Sequence, residues 1–147
     1  MTKSILCVCL GNICRSPTGE ALLRAALPDA HIDSAGTAGW HVGKPPYGPM
    51  QAAARARGYD LSQQRARQVT AEDFHRFDLI LAMDSSNLED LQAIRPADAT
   101  AELALYLSVQ EDAPTDVPDP YYTRDFDGVL TLIEQAARAW AAKLTGT

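Results

Sequence analysis

The chain has 147 residues, 46% of them apolar and 22% charged, and carries a net charge of −6 at pH 7. These proportions are those of one globular domain spanning residues 1–147, long enough to bury a proper core. The acidic balance argues against general nucleic-acid or anionic-membrane binding, which needs a basic face, and no apolar run is long enough to span a bilayer.

Met1-Thr2-Lys3 leads straight into a short apolar run, so no signal peptide is expected. Three cysteines, Cys7, Cys9 and Cys14, are too few and too close together for a disulfide framework, and a reducing cytoplasm is the expected setting. The first strand is Ser4–Cys9, nearly all apolar, as befits a parallel strand covered on both faces. A loop follows, then a helix over Pro17–Leu27 that stops at Pro28, with Ser16 as N-cap and Pro17 at the first helical position. A second strand is expected at His31–Ala35. Gly36–Pro49 is rich in Gly and Pro and reads as loop. A helix over Met50–Arg57 ends at Gly58, and Thr70-Ala71-Glu72-Asp73 opens a short helix in the manner of a capping box. Phe77–Met83 is the third strand, Asp84–Ile94 a helix ended near Pro96, and Glu102–Leu107 the last strand. Ser108–Tyr122 is a polar, Pro-rich loop. The final helix, Asp125–Leu144, sets Phe126, Val129, Leu130, Ile133, Ala137, Trp140 and Leu144 on one face. No repeat or low-complexity stretch interrupts this alternation. Strand and helix in turn predict an α/β three-layer sandwich, with a four-stranded parallel sheet in the flavodoxin-like order 2-1-3-4 and helices on both faces. In such sheets the site lies beyond the strand C-termini, at the switch point beside the first strand.

Cys9-Leu10-Gly11-Asn12-Ile13-Cys14-Arg15-Ser16-Pro17 occupies that point. Gly11 allows a turn with positive φ, and Asn12 is one of the few other residues that tolerates it. Loop N–H groups can converge into an anion nest, the helix N-terminus attracts phosphate, and Arg15 presents a fork that matches two phosphate oxygens. Beside Arg15 and a helix N-terminus, with the Ser16 hydroxyl in reach, Cys9 is expected to be an activated thiolate. It would accept a phosphoryl group while Arg15 and the loop amides hold the equatorial oxygens. A Cys-x5-Arg spacing alone is weak, with roughly 0.2 chance occurrences expected at this composition. The strand before it, the Gly-Asn pair within it and the Ser-Pro helix start after it make it specific. Cys7, in mid-strand, reads as a small core residue.

Expelling an ester oxygen requires a proton from the face opposite the cysteine. Asp119, in Val117-Pro118-Asp119-Pro120-Tyr121-Tyr122, is the candidate acid, on a loop stiffened by two prolines. Asp112, Asp116, Asp125 and Asp127 compete nearby and are better explained as solvated or capping. His31, His41 and His75 are scattered and lack metal-ligand spacing; His41 would be the partner in a Cys-His hydrolase, a reading the loop makes unnecessary. Arg55, Arg57, Arg65 and Arg67 read as a solvated basic face.

These residues resemble the low-molecular-weight protein tyrosine phosphatases over nearly the whole chain. Val8–Pro17 is similar to the family's phosphate-binding loop, and Asp33-Ser34-Ala35-Gly36-Thr37, Arg67-Gln68-Val69-Thr70, Met83-Asp84 with Ser86-Asn87, and Asp119-Pro120-Tyr121-Tyr122 to its other recurrent segments. The resemblance implies that Cys9 is the nucleophile, Arg15 the phosphate ligand and Asp119 the acid. The phosphate-binding loop is then Leu10, Gly11, Asn12, Ile13, Cys14, Arg15 and Ser16, with Asn12, Ser16 and Ser34 holding its shape. It also implies that Trp40, Tyr121 and Tyr122 wall a slot for a flat phenyl phosphate. Cys14 resembles the family's second loop cysteine, which can pair reversibly with the nucleophile; packing the loop is an equal role for it. Two positions depart from the pattern: Gln64 where a His often supports the loop, and Tyr47 where an Asp is frequent. The implied activity is hydrolysis of protein phosphotyrosine and aryl phosphates through a phosphocysteine, by a monomer without cofactor or metal, with phosphate and other oxyanions as product or inhibitors. A thiol-dependent arsenate reductase shares the loop but needs further cysteines, and none follows Cys14. A non-catalytic phosphate-binding regulator, or a phosphatase of small metabolites, is the remaining alternative.

Overall fold

The computed structural model describes residues 3–146; Met1, Thr2 and Thr147, and with them the start read as lacking a signal peptide, lie outside it. Four parallel strands, β1 (Ser4–Cys9), β2 (His31–Gly36), β3 (Leu79–Ala82) and β4 (Glu102–Leu105), form one sheet in the order β2-β1-β3-β4, as the alternation predicted. β1 pairs Val8 with Ala35 on one side and with Ala82 on the other. Being central, it is apolar and buried from Ile5 onward, and its period-2 pleat divides its side chains between two cores. Ile5, Cys7 and Cys9 join one core with Leu22 and Leu23 of α1 (Arg15–Ala26), Met50 and Ala54 of α2 (Gly48–Ala56), and Val129, Leu130 and Ile133 of α6 (Phe126–Thr145). Leu6 and Val8 join the other, with Phe74 of α3 (Asp73–Arg76) and Leu91 of α4 (Ser85–Ile94). A fifth helix, α5 (Pro120–Thr123), is a single turn inside the long loop after β4.

Several boundaries differ from expectation, each for a local reason. The first helix starts at Arg15 rather than Pro17, and Ser16 does not cap it: the cap position is Cys14, without a side-chain bond, because the Ser16 hydroxyl is engaged by Asn12 and faces Cys9. The loop reading of Gly36–Pro49 loses both ends, since Gly36 extends β2 and Pro49 sits in the first turn of α2, where a missing N–H costs nothing. Gly58, at φ +91, follows α2 as expected of a residue that ends a helix. Half of the capping box forms, the Asp73 carboxylate accepting from the Thr70 N–H at 2.9 Å. The last strand stops at Leu105. Tyr106 and Leu107 turn into a 3-10 segment (Tyr106–Val109) yet remain buried, so their apolarity did not distinguish strand from turn. Tyr106 donates its hydroxyl to the Gly19 carbonyl at 3.2 Å and its carbonyl accepts from Trp140 Nε1 at 2.7 Å, which ties β4, α1 and α6 together.

Candidate active site

Leaving β1, the chain turns through residues 10–14 and enters α1 directly. Asn12 makes the turn. It is the loop residue with positive φ (56°), whereas Gly11, the expected left-handed residue, is not among those with positive φ. A Cβ at Gly11 would stand 2.9 Å from His41 Cδ2, a contact the His41 side chain would have to move to relieve. The Asn12 side chain is 2% exposed and fully engaged: Nδ2 donates to Ser16 Oγ at 2.8 Å and to Ser34 Oγ at 3.0 Å, and Oδ1 accepts from the Arg67 N–H at 3.0 Å. Ser34 in turn donates its hydroxyl to Glu20 Oε1 at 2.7 Å. Burial raises the Glu20 carboxyl above its ordinary value, against the pull of the Ser34 bond and of Arg24. The expected trio Asn12, Ser16 and Ser34 is therefore one network, with Glu20 as its buried end.

The network surrounds the sulfur. Ser16 Oγ lies 3.0 Å from Cys9 Sγ, and the Asn12 N–H donates to that sulfur at 3.3 Å. Gln64 also contributes, donating Nε2 to the Pro17 carbonyl at 2.9 Å, with Oε1 3.5 Å from Ser34 Oγ. Gly36 matters for a reason the sequence did not show. A Cβ there would meet the Leu10 carbonyl oxygen at 2.7 Å and Gly11 C at 3.1 Å, so the loop rests directly on the end of β2.

Arg15 is 3% exposed and held at three points from distant segments. Nη1 donates to Asp84 Oδ2 at 2.6 Å and to the Val117 carbonyl at 3.0 Å, and Nη2 lies 3.6 Å from Asp119 Oδ2. Burial by itself would lower the guanidinium pKa, but Cys9, Asp84 and Asp119 outweigh it and raise the value, so the side chain stays cationic. The sequence places Asp84 at a helix start and in a recurrent segment, and nothing in it signals the contact with Arg15. It also N-caps α4 through the Asn87 N–H at 2.7 Å. The competing carboxylates are accounted for: Asp125 caps α6, Asp116 accepts from Ser85, and Asp112 and Asp127 are exposed.

A cavity of about 120 Å³ opens beside the sulfur, lined by Cys9, Arg15 and Asp119 together with Trp40, Tyr121 and Tyr122. The aromatics are rim rather than deep wall, Trp40 being 70% and Tyr122 76% exposed. All three cysteines are free. Burial, then the nearby Cys9 and Asp119 charges, pushes the Cys14 thiol up to about 12, and burial also raises Cys7. Of the arginines expected to form a solvated face, Arg55, Arg57 and Arg65 are exposed and Arg67 is half-buried. Arg57 reaches the α6 residues Asp127, Thr131 and Glu134, and Arg67 lies between Asp33 and Asp73 at 3.2 and 3.0 Å. Among the described residues no three His, Cys, Asp or Glu side chains converge as metal ligands.

Residues 4–147 match the sequence model of a family described as low molecular weight phosphotyrosine protein phosphatase. The chain is 39% identical to the low molecular weight protein-tyrosine-phosphatase YfkJ of Bacillus subtilis, across 96% of this chain and 95% of that protein. It is 41% identical to the human low molecular weight phosphotyrosine protein phosphatase, across 97% and 94%. The crystal structure of YfkJ superimposes with a TM-score of 0.92 over 99% of this chain and 96% of that one, at 38% identity.

Proposed function

From a chain that belongs to the low molecular weight phosphotyrosine protein phosphatase family, and is thereby a protein-tyrosine phosphatase, we propose that Cys9 is the nucleophile, Arg15 the phosphate ligand and Asp119 the general acid. One observation carries the assignment: a thiol, a buried guanidinium and a carboxylate from residues 9, 15 and 119 line a single small cavity. The Cys9 thiolate attacks phosphorus, and an S–P bond forms as the P–O bond to the phenol breaks. Asp119 gives its proton to the departing oxygen, so tyrosine leaves neutral. Arg15, aimed by Asp84 and the Val117 carbonyl, balances charge on the equatorial oxygens. Water then attacks the phosphocysteine, Asp119 takes its proton, the S–P bond breaks, and phosphate and the thiolate are released. Leu10 to Ser16 form the cradle, Asn12, Ser16 and Ser34 hold it, and Trp40, Tyr121 and Tyr122 guide the aryl group in.

We further propose a monomeric single domain over residues 1–147 that acts in the cytoplasm on phosphotyrosine proteins or peptides, with phosphate and like oxyanions as product or inhibitors. The net charge of −6 supports a protein rather than a nucleic-acid or membrane partner. Free buried cysteines suit a reducing compartment. Among the described residues no helix is long and apolar enough to cross a membrane.

The test is hydrolysis of p-nitrophenyl phosphate and of phosphotyrosine and phosphoserine peptides, in EDTA with reductant, by wild type, Cys9→Ser and Asp119→Asn. Wild type should act without added metal and prefer phosphotyrosine, Cys9→Ser should be inactive, and Asp119→Asn should be strongly impaired on the phosphotyrosine peptide and less so on p-nitrophenyl phosphate. An inactive reduced wild type that still binds phosphate would make the loop a binding module instead.

A further inference from the structure

Two non-glycine residues among the described residues have positive φ. One is Asn12 in the phosphate loop; the other is Arg124, at φ 63° and ψ 13°, just after α5. Glycine would adopt this conformation without a steric penalty, and arginine does not. A side chain kept in such a place points to a task.

We propose that Arg124 and Tyr47 form a clasp that positions the Asp119 carboxyl over the phosphate loop; this rests on Asp119 being the general acid. Asp119 belongs to a short and weakly held segment. It caps the single turn α5, accepting from the Tyr121 N–H at 3.1 Å, and Arg124 closes that turn by donating its N–H to the Pro120 carbonyl at 2.9 Å. From its left-handed position Arg124 reaches back across the segment. Its guanidinium lies over the rings of Tyr47 and Phe126, 5.3 and 5.1 Å from their centroids, a favourable cation–π placement. Nη1 donates to the Tyr47 hydroxyl at 3.0 Å and to the Tyr121 carbonyl at 3.3 Å.

Tyr47 supplies the other half. Its N–H donates to the Ile13 carbonyl at 2.8 Å, which fixes its backbone to the phosphate loop, while its ring meets that of Tyr121 at 5.2 Å. One residue thus touches the loop that holds phosphate and the turn that carries the acid. Neither Tyr47 nor Arg124 lines the cavity, so both act through Asp119, as positioning residues. An acid displaced by an ångström would harm departure of a basic phenolate far more than that of nitrophenolate, which leaves readily without a proton.

The experiment compares kcat/KM for phenyl phosphate and p-nitrophenyl phosphate, together with urea unfolding, in wild type, Arg124→Gly, Tyr47→Leu, Tyr47→Phe and Asp119→Asn. Arg124→Gly should unfold no earlier than wild type, because glycine accepts the left-handed turn. It should nonetheless lose about tenfold on phenyl phosphate and less than about threefold on p-nitrophenyl phosphate, a part of the 10²–10⁴ that a positioned acid supplies. Tyr47→Leu should show the same selective loss, and Tyr47→Phe, which keeps the ring, a smaller one. Equal losses on both esters, or none, while Asp119→Asn retains a selective loss, would overturn the clasp alone. An Asp119→Asn variant without a selective loss would overturn the acid assignment and the clasp with it.

Discussion

Removing the Asn12 side chain tests what holds the loop between β1 and α1 in shape. In Asn12→Ala three hydrogen bonds at a site 2% exposed disappear, each with a net value of about 1 kcal/mol. The residue must also hold φ 56°, which costs alanine about 1–2 kcal/mol. The expected loss is about 4–5 kcal/mol, a large share of the 5–15 kcal/mol typical of a domain. Asn12→Gly removes the φ penalty but not the hydrogen-bond loss, and should recover about 1 kcal/mol after its own backbone entropy is counted. Urea unfolding at pH 7 with reductant gives both values. In both variants kcat/KM for p-nitrophenyl phosphate should fall by about 100-fold, the scale expected of an ångström of misplacement. The two variants together separate backbone strain from the network. The reasoning fails if Asn12→Ala unfolds within about 1 kcal/mol of wild type and keeps its activity, or if Asn12→Gly restores both.

Other perturbations have equally definite outcomes. Gly36→Ala places a Cβ 2.7 Å from the Leu10 carbonyl; it should cost about 1–3 kcal/mol and most of the activity, and retained kcat would show that the loop does not rest on β2. Asp84→Asn keeps a side chain able to cap α4 but removes the charge paired with Arg15, so inhibition by inorganic phosphate and KM should change while the melting temperature stays near that of wild type. Cys14 sets a pH dependence. Burial pushes its thiol from an ordinary value of 9.0 up to about 12 in the folded state, so stability is unaffected by this group below the unfolded pKa and falls as pH rises from there toward 12. At pH 10 the loss is on the order of 1 kcal/mol, and Cys14→Ser should flatten that part of the alkaline slope in urea titrations. Iodoacetate at pH 7 should likewise spare Cys14 and Cys7, which mass spectrometry of the digest would reveal.

Local rules made much of this protein legible before folding. The apolar run of β1, the turn residues after it and the arginine before a helix all lie within a dozen residues, so their spacing carries their geometry. The strand–helix alternation dictated a parallel sheet, and the capping preference of Asp explained Asp125 at its helix start. Where two local answers were equally compatible with burial, only packing decided between them. Tyr106 and Leu107 are apolar enough for a strand but turn away because Tyr106 is anchored on Gly19. Ser16 is a sound N-cap by type, yet Asn12 and the sulfur engage its hydroxyl, and the positive φ moved from Gly11 to Asn12 because that side chain has three partners to meet.

The sheet alone brought together residues far apart in sequence. Asp84 and Val117 stand 69 and 102 positions from Arg15, and no spacing rule reaches that far. The need for glycine at residue 36 arises from a backbone contact with Leu10 across two strands. The amino-acid order by itself determined the chemistry of the loop, because neighbours along the chain fix it. Tertiary structure determined how that loop is braced and where Asp119 sits, because those partners become neighbours only when the sheet closes.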